Sequence, residues 1–299
     1  MVSIIKRKKG NNNYYYYLKH TTRKRQKEKY LGIIIPKNIE NIKREFLLNF
    51  YREEWLPQLE EIFMHNKKSQ NQIPKSILKK LLESFSVDFT YHTQRIEGST
   101  LTLRETANIL IDGITPSQKP QSDMIEAKQH QKIFFEMLEH KKKISLDTIL
   151  YWHEKLFEQT DTNIAGQTRR YPIEVRGSKF EFPFWDEVPG LLKEFFTWYN
   201  KNKDKIHPVE LVALVHFKFV SIHPFGDGNG RISRLLMNCV LDEKKYPMVI
   251  IEYKDRFAYY YVLEKSQLEN NPFYFVRWFV NMYIKKNQKL IKQWSKPKK

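Results

Sequence analysis

The sequence predicts a mainly α protein interrupted by two small β-hairpin regions, and three observations carry that reading. Apolar residues recur at helical spacing through most of the 299 residues. Alternation and β-prone runs are confined to about 14–35 and 171–184. The stretch HPFGDGNGRISR, His223 to Arg234, closes a long apolar run and opens a new helical period across glycines 226, 228 and 230.

Taken in order, residues 14–35 run from a tyrosine cluster through basic residues to a second β-prone run, which predicts two strands ended by Pro36. From Asn38 to His65, Ile42, Phe46, Phe50 and Ile62 recur at helical spacing, and Pro57 must start, kink or interrupt that helix. A second helix opens near Pro74 and carries Ile77, Leu78, Leu81, Leu82, Phe85 and Phe89 toward Thr93 and Glu97, with Gly98 as its stop. Thr102 and Glu105 form a capping box at the head of the next helix. Further helical patterns cover about 122–140, 145–159, 186–203, 207–222, 231–243, 255–269 and 272–293. Between them, IEVRGSKFEF alternates around Gly177–Ser178, which predicts a tight hairpin within 171–184. The chain divides into a basic N-terminal hairpin and linker helix, 1–70, a main domain, 71–285, and a basic tail, 286–299.

Composition sets limits on function. With 41% hydrophobic and 14% aromatic residues the chain can bury a sizeable core. No apolar run reaches the ~20 residues of a membrane span, and the N-terminus lacks the pattern of a secretory signal, so the cytoplasm is the expected compartment. Cys239 is the single cysteine, which excludes an intrachain disulfide, and its apolar neighbours predict a buried, inert thiol. The net charge of +18 is concentrated at the ends: residues 1–30 carry +9 and residues 285–299 carry +7, leaving +2 between. That distribution argues against a basic groove through the main domain and leaves nucleic-acid binding by the basic hairpin as the lesser alternative.

The motif itself asks for an anion. Residues 208–222 predict a buried helix with Pro208 in its first turn, and the glycines after His223 turn the chain into a second helix N-terminus, where free amides and the helix dipole favour negative charge. Arg231 and Arg234, three apart in the first turn, are disfavoured there by the dipole, so they call for a polyanion or acidic side chains. Asp227 can offer a carboxylate to Mg²⁺, and His223 can act as a general base on a hydroxyl.

This stretch resembles the signature of Fic proteins, H-x-F-x-D-G-N-G-R-x-x-R, at every specified position. The resemblance implies a mainly α, Fic-type helical core that transfers AMP from ATP to a protein hydroxyl, on itself or on a target. It implies His223 as the base, Asn229 and Arg231 as further catalytic groups, Asp227 as the Mg²⁺ ligand, and Gly228–Asn229–Gly230 as the phosphate cradle. Arg231 and Arg234 would neutralise the triphosphate, with Arg234 toward the γ-phosphate, and Phe225 would anchor the loop in the core. Gly230 stands where the related Doc-type kinases carry lysine, which favours adenylyl transfer. The hairpin at 171–184 resembles the family's flap, which docks a target segment by strand addition. Tyr260 and Gln267 resemble the adenine-side segment, although asparagine is common where Gln267 stands. The stretch TQRIEG, Thr93 to Gly98, resembles the family's inhibitory motif, with Thr93 and Glu97 on one helical face and Glu97 able to occupy Arg234. In some members the inhibitory glutamate also positions a hydrolytic water, so removal of AMP is a further expectation. A homodimer stays open, and the target protein is not named by the residues.

Overall fold

The computed structural model describes residues 2–9, 13–23, 25–140, 143–175 and 177–294. Arg176 of the expected flap and residues 295–299 of the expected tail lie outside the described residues.

Near the N-terminus, β1 (Val2–Lys9), β2 (Asn13–Thr21) and β3 (Gln26–Gly32) form an antiparallel sheet in chain order. Val2 lies opposite His20 and Tyr17 opposite Tyr30, with an irregularity of register at Tyr16/Tyr17. The expected hairpin is therefore a three-stranded sheet. The added strand is β1, whose Lys6-Arg7-Lys8 run reads as solvated charge but equally suits an edge strand, where lysine blocks unwanted pairing. β3 stops at Gly32, where φ of +115° turns the chain out of the extended region, so Ile33–Ile35 are not strand. Leu18 and His20 are buried on one face of the sheet, the His20 ring 4.6 Å from that of Phe50. On the other face Tyr15 and Tyr17 gather around Tyr30, with ring centroids 6.1 and 5.2 Å away.

α1 (Ile39–Gln72) contains Pro57 without being interrupted by it. Trp55, Leu59 and Ile62 around the proline are all buried, and that burial offsets the hydrogen bond the proline cannot donate. The chain forms two compact units, Met1–Glu61 and Ile62–Lys299.

In the second unit α2 (Lys75–Ile96) starts after Pro74 and ends at Glu97, with Gly98 at φ +103°. α3 (Leu103–Ala107) carries both bonds of the Thr102/Glu105 capping box, and a π-helical turn follows at Asn108–Asp112. Next come α4 (Gln121–His140), α5 (Leu146–Phe157), α6 (Val188–Asn202), α7 (Pro208–Ile222) and α8 (Asn229–Glu243). A 3-10 turn (Tyr253–Asp255), α9 (Arg256–Leu268) and α10 (Phe273–Trp294) complete the unit, so the segment expected as a tail is helical as far as Trp294. α7 is the central element: Val209, Leu211, Val212, Ala213, Val215 and Phe219 are wholly buried, and the helix packs on α8, α10 and α6. Cys239 on α8 is buried, and desolvation pushes its thiol up to about 12, as an inert cysteine requires. Among the described residues no helix is long and apolar enough to cross a membrane.

The segment 171–184 turns where expected, with Gly177 at φ +83° and Ser178 N–H donating to Val175 O at 2.9 Å. It forms no strand ladder among the described residues. Its polar backbone groups are engaged elsewhere: Lys179 N–H donates to Glu264 at 2.6 Å, Phe180 N–H to Ser178 Oγ, and the carbonyls of Tyr171 and Pro183 accept from Arg169.

Candidate active site

The loop between α7 and α8 is shaped by conformations that most residues avoid. His223 closes α7 in the left-handed region, φ 50° and ψ 61°, and Gly228 precedes α8 at φ +79°. A Cβ on Gly228 would stand 2.6 Å from Phe157 Cε2, so this position has room for glycine only. Phe225 is fully buried and stacks on His153 at 3.8 Å and 12°, which fixes the middle of the loop. Asn229, also buried, accepts from Phe225 N–H at 2.9 Å and donates to Phe225 O at 2.8 Å. One bond at each polar atom ties its side chain to the loop and leaves a second Nδ2 hydrogen and the main-chain amide. No side chain caps the first turn of α8, which leaves that turn's amides to an external acceptor.

His223 Nδ1 lies 3.3 Å from the Val220 carbonyl, a contact that places a proton on Nδ1 and leaves the lone pair on Nε2. Burial, the largest influence, pushes this imidazole down to about 4; the Val220 bond, Glu97 and Asp227 work upward against it, and Arg169 adds to the fall. The ring is therefore neutral at pH 7, the form a base needs. Asp227 accepts from Gly228 N–H at 2.5 Å and from Arg231 Nη2 at 2.8 Å, and its carboxylate stays more than half exposed. Partial burial raises its pKa, but the Arg231 charge and the Gly228 amide outweigh this and hold it below the ordinary value.

The two arginines have acidic partners, as the helix dipole demands. Arg231, buried over the Phe157 ring, donates to Asp227 and Glu126 and reaches Gln94 Oε1 at 3.4 Å. Arg234, 1% exposed, donates from Nε to Thr93 Oγ1 at 3.0 Å, from Nη2 to Thr93 O at 3.3 Å, and to Glu97 Oε1 in an ion pair. Burial opposes the Arg234 charge, and Glu97 outweighs it, so its pKa lies above the ordinary value. The α2 face expected from TQRIEG thus meets α8. A Cβ on Gly230 would overlap the Glu97 carboxylate and stand 3.0 Å from Arg234 Nη1, so only glycine leaves space for this pair. Three buried nitrogens at the same place, Gln94 Nε2, Arg231 Nε and Arg234 Nη1, have no hydrogen-bond partner among the described residues, which is costly unless an acceptor-rich ligand visits.

The two residues expected on the adenine side, Tyr260 and Gln267, make different internal contacts. The Tyr260 hydroxyl donates to Ile96 O at 3.0 Å, tying α9 to the end of α2, and burial followed by the Glu97 charge pushes it up to about 12. Gln267 is buried and its Nε2 donates to Ser221 Oγ at 3.2 Å, a contact between α9 and α7. Gln94, Glu126, His153 and Arg169 also contact the loop or its arginines, though no sequence motif points to them. His153 accepts from Gly166 N–H and donates to Asp227 O, each at 3.1 Å, and burial pushes its imidazole down to about 4. No local pattern marks these residues, because each acts through a partner remote in the chain.

The fold and loop define a helical domain whose α8 N-terminus, flanked by a neutral histidine and two buried arginines, has the free amides and positive charge that can hold an anion. Residues 143–241 match the family model described as Fic/DOC family. A relative in Drosophila ananassae named protein adenylyltransferase Fic is 37% identical over 180 residues, 58% of this chain and 35% of that one. Its counterpart in Drosophila virilis is 34% identical over 195 residues, 63% of this chain and 39% of the relative. The chain thus spans little more than a third of the length of these curated relatives. Among solved structures, a Fic domain containing signaling protein from Bacteroides thetaiotaomicron matches with a TM-score of 0.69 and 27% identity, over 77% of this chain and 95% of that one. Fic-1 of C. elegans, residues 134–508, matches with a TM-score of 0.72 and 27% identity, over 86% and 78%. Over residues 143–241 the chain is similar to the Fic/DOC family.

Proposed function

We propose that this chain is a protein adenylyltransferase, transferring AMP from ATP to a hydroxyl of a protein segment held beside residues 171–184, and that the structure represents its self-inhibited state. The observation that carries the reading is the Glu97–Arg234 pair at the head of α8, where a carboxylate stands in for a phosphate group. The curated relatives' names support the reaction class.

On this reading the triphosphate lies over the first turn of α8, against the amides of residues 228–230 and the arginines. The target oxygen forms a bond to the α-phosphorus, the bond from that phosphorus to the bridging oxygen breaks, and pyrophosphate leaves with the electron pair. The hydroxyl proton passes to His223 Nε2, which is free because Nδ1 faces Val220 O. Asp227 is the loop's one carboxylate, more than half exposed, with acceptor capacity beyond its two bonds, so it suits an ion that takes few protein ligands. It would hold Mg²⁺, which when bound neutralises charge on the phosphates. Among the described residues there is no cluster of three His, Cys, Asp or Glu side chains, in keeping with an ion held largely by nucleotide and water. Removal of AMP, with Glu97 orienting a water, would use the same groups.

Incubation with α-labelled and γ-labelled ATP in parallel tests the proposal. Label on protein from the α-phosphate alone is expected. Label from the γ-phosphate alone, or from neither in the Glu97→Gly variant, would overturn it.

A further inference from the structure

One buried cation takes no part in this scheme. Arg169, between α5 and α6, is 3% exposed and forms no ion pair with a carboxylate among the described residues. Buried arginines ordinarily face an acid. This one donates instead to three main-chain carbonyls: Nε to His223 O at 2.8 Å, Nη1 to Tyr171 O at 3.2 Å and Nη2 to Pro183 O at 2.6 Å. Its own N–H donates to Pro224 O at 2.9 Å. Desolvation lowers its pKa, yet from so high a starting value that the guanidinium stays charged.

The three carbonyls are not a random set. Tyr171 and Pro183 flank the turn at Gly177, so a single planar group holds both sides of the 171–184 segment where no strand ladder does. The third belongs to His223, whose left-handed backbone is unfavourable for a non-glycine residue and persists only when its surroundings enforce it. On the far side of the turn, the Phe182 ring lies 4.5 Å from the His223 ring, and the Lys179 amide is held by Glu264 on α9. The segment and the histidine therefore share one anchor and one ring contact.

We propose that Arg169 is a positioning residue that makes the target-holding segment and the His223 backbone a single mechanical unit, so that a docked hydroxyl and the base that deprotonates it keep a fixed relation. The proposal rests on the adenylyl-transfer reading for its functional meaning, but not for its test. Lysine keeps the charge but replaces the planar fork by a single nitrogen; glutamine removes the charge and the fork.

Hydrogen exchange on the full chain, without nucleotide, reads the coupling directly. In Arg169→Lys and Arg169→Gln, peptides covering 171–184 and 223–228 should exchange faster together, while those of α7 and α8 keep the parent's protection. Faster exchange in only one of the two peptides, in neither, or throughout the chain would overturn the proposal, whatever the protein's activity. A second arm places the same substitutions in the Glu97→Gly background and follows labelling from α-labelled Mg·ATP. The saturating rate should fall ~10–100-fold, the scale of a 1 Å misplacement, with the KM for ATP within about twofold of the background. A rise in KM at an unchanged saturating rate would mean that Arg169 serves the nucleotide instead, and would also overturn the proposal. Silence of Glu97→Gly itself counts against the adenylyl-transfer reading alone, because the exchange arm has by then judged Arg169.

Discussion

Glu97 at the end of α2 and Arg234 in the first turn of α8, 137 positions apart, form an ion pair in which the arginine is 1% exposed and the carboxylate a quarter exposed. Such a pair competes with any phosphate that needs the same guanidinium. Replacing Glu97 by glycine should raise AMP self-labelling at least ~10-fold, about 1.4 kcal/mol of transition-state stabilisation. Adding Arg234→Ala should erase the gain. The same glycine leaves a buried guanidinium without its acid, so the variant should melt below the parent in nucleotide-free buffer, and Mg·ATP should raise its melting temperature more than the parent's. Equal labelling by the two proteins, both folded and binding ATP, would remove the inhibitory role.

His223→Ala should abolish transfer while ATP affinity and melting temperature stay close to the parent's. The imidazole contacts Val220 O and the Phe182 ring, and a base takes a proton while holding little of the ligand. Labelling from α-labelled ATP at the parent rate would refute its assignment as the base.

What the sequence disclosed follows the range of the interactions involved. His223, Asp227, Arg231 and Arg234 lie within twelve residues, so their chemistry is legible as one local pattern, and the Thr102/Glu105 capping box is legible for the same reason. Glu97 is legible only because its motif names a partner; Glu126 is in equally close contact with Arg231 but sits in α4 looking like any solvated helical acid. Arg169 looked like one of several basic residues, since nothing local shows that it will meet three carbonyls. β1 was hidden by its lysines, and the 171–184 alternation promised a ladder whose backbone groups are taken by Arg169 and Glu264.

Asn229 separates a structural role from a phosphate-binding one. Both polar atoms of its side chain are bonded to the Phe225 main chain in a buried loop, so Asn229→Ala leaves the Phe225 N–H and C=O without partners at a cost of about 1–3 kcal/mol each. Urea unfolding should show a lower midpoint at an unchanged slope, with transfer falling in parallel. Unaltered stability combined with weakened ATP binding would instead place the amide on the nucleotide.

The last prediction concerns acid. Burial pushes His153 and His223 down to about 4, and His130 and His216 down to about 3, so all four are neutral in the folded protein at pH 7. Unfolded, each titrates near 6.5. Between those values the unfolded chain binds more protons than the folded one, so stability rises with pH; the contribution is whole above about 6.5 and is lost as pH drops through 4 toward 3. His130 takes a hydrogen bond on Nδ1 from Thr90 at 2.9 Å or gives one to it, and His216 pairs with Tyr259 through Nε2 at 2.9 Å, so both are held as neutral hydrogen-bonding groups rather than as cations. Unfolding free energies measured by urea at pH 7, 6, 5 and 4 should therefore decline with increasing slope below pH 6.5. His130→Gln, which keeps a neutral polar group of similar reach, should flatten that decline even where it lowers the value at pH 7. A pH dependence identical in parent and variant would mean that His130 ionises alike in both states.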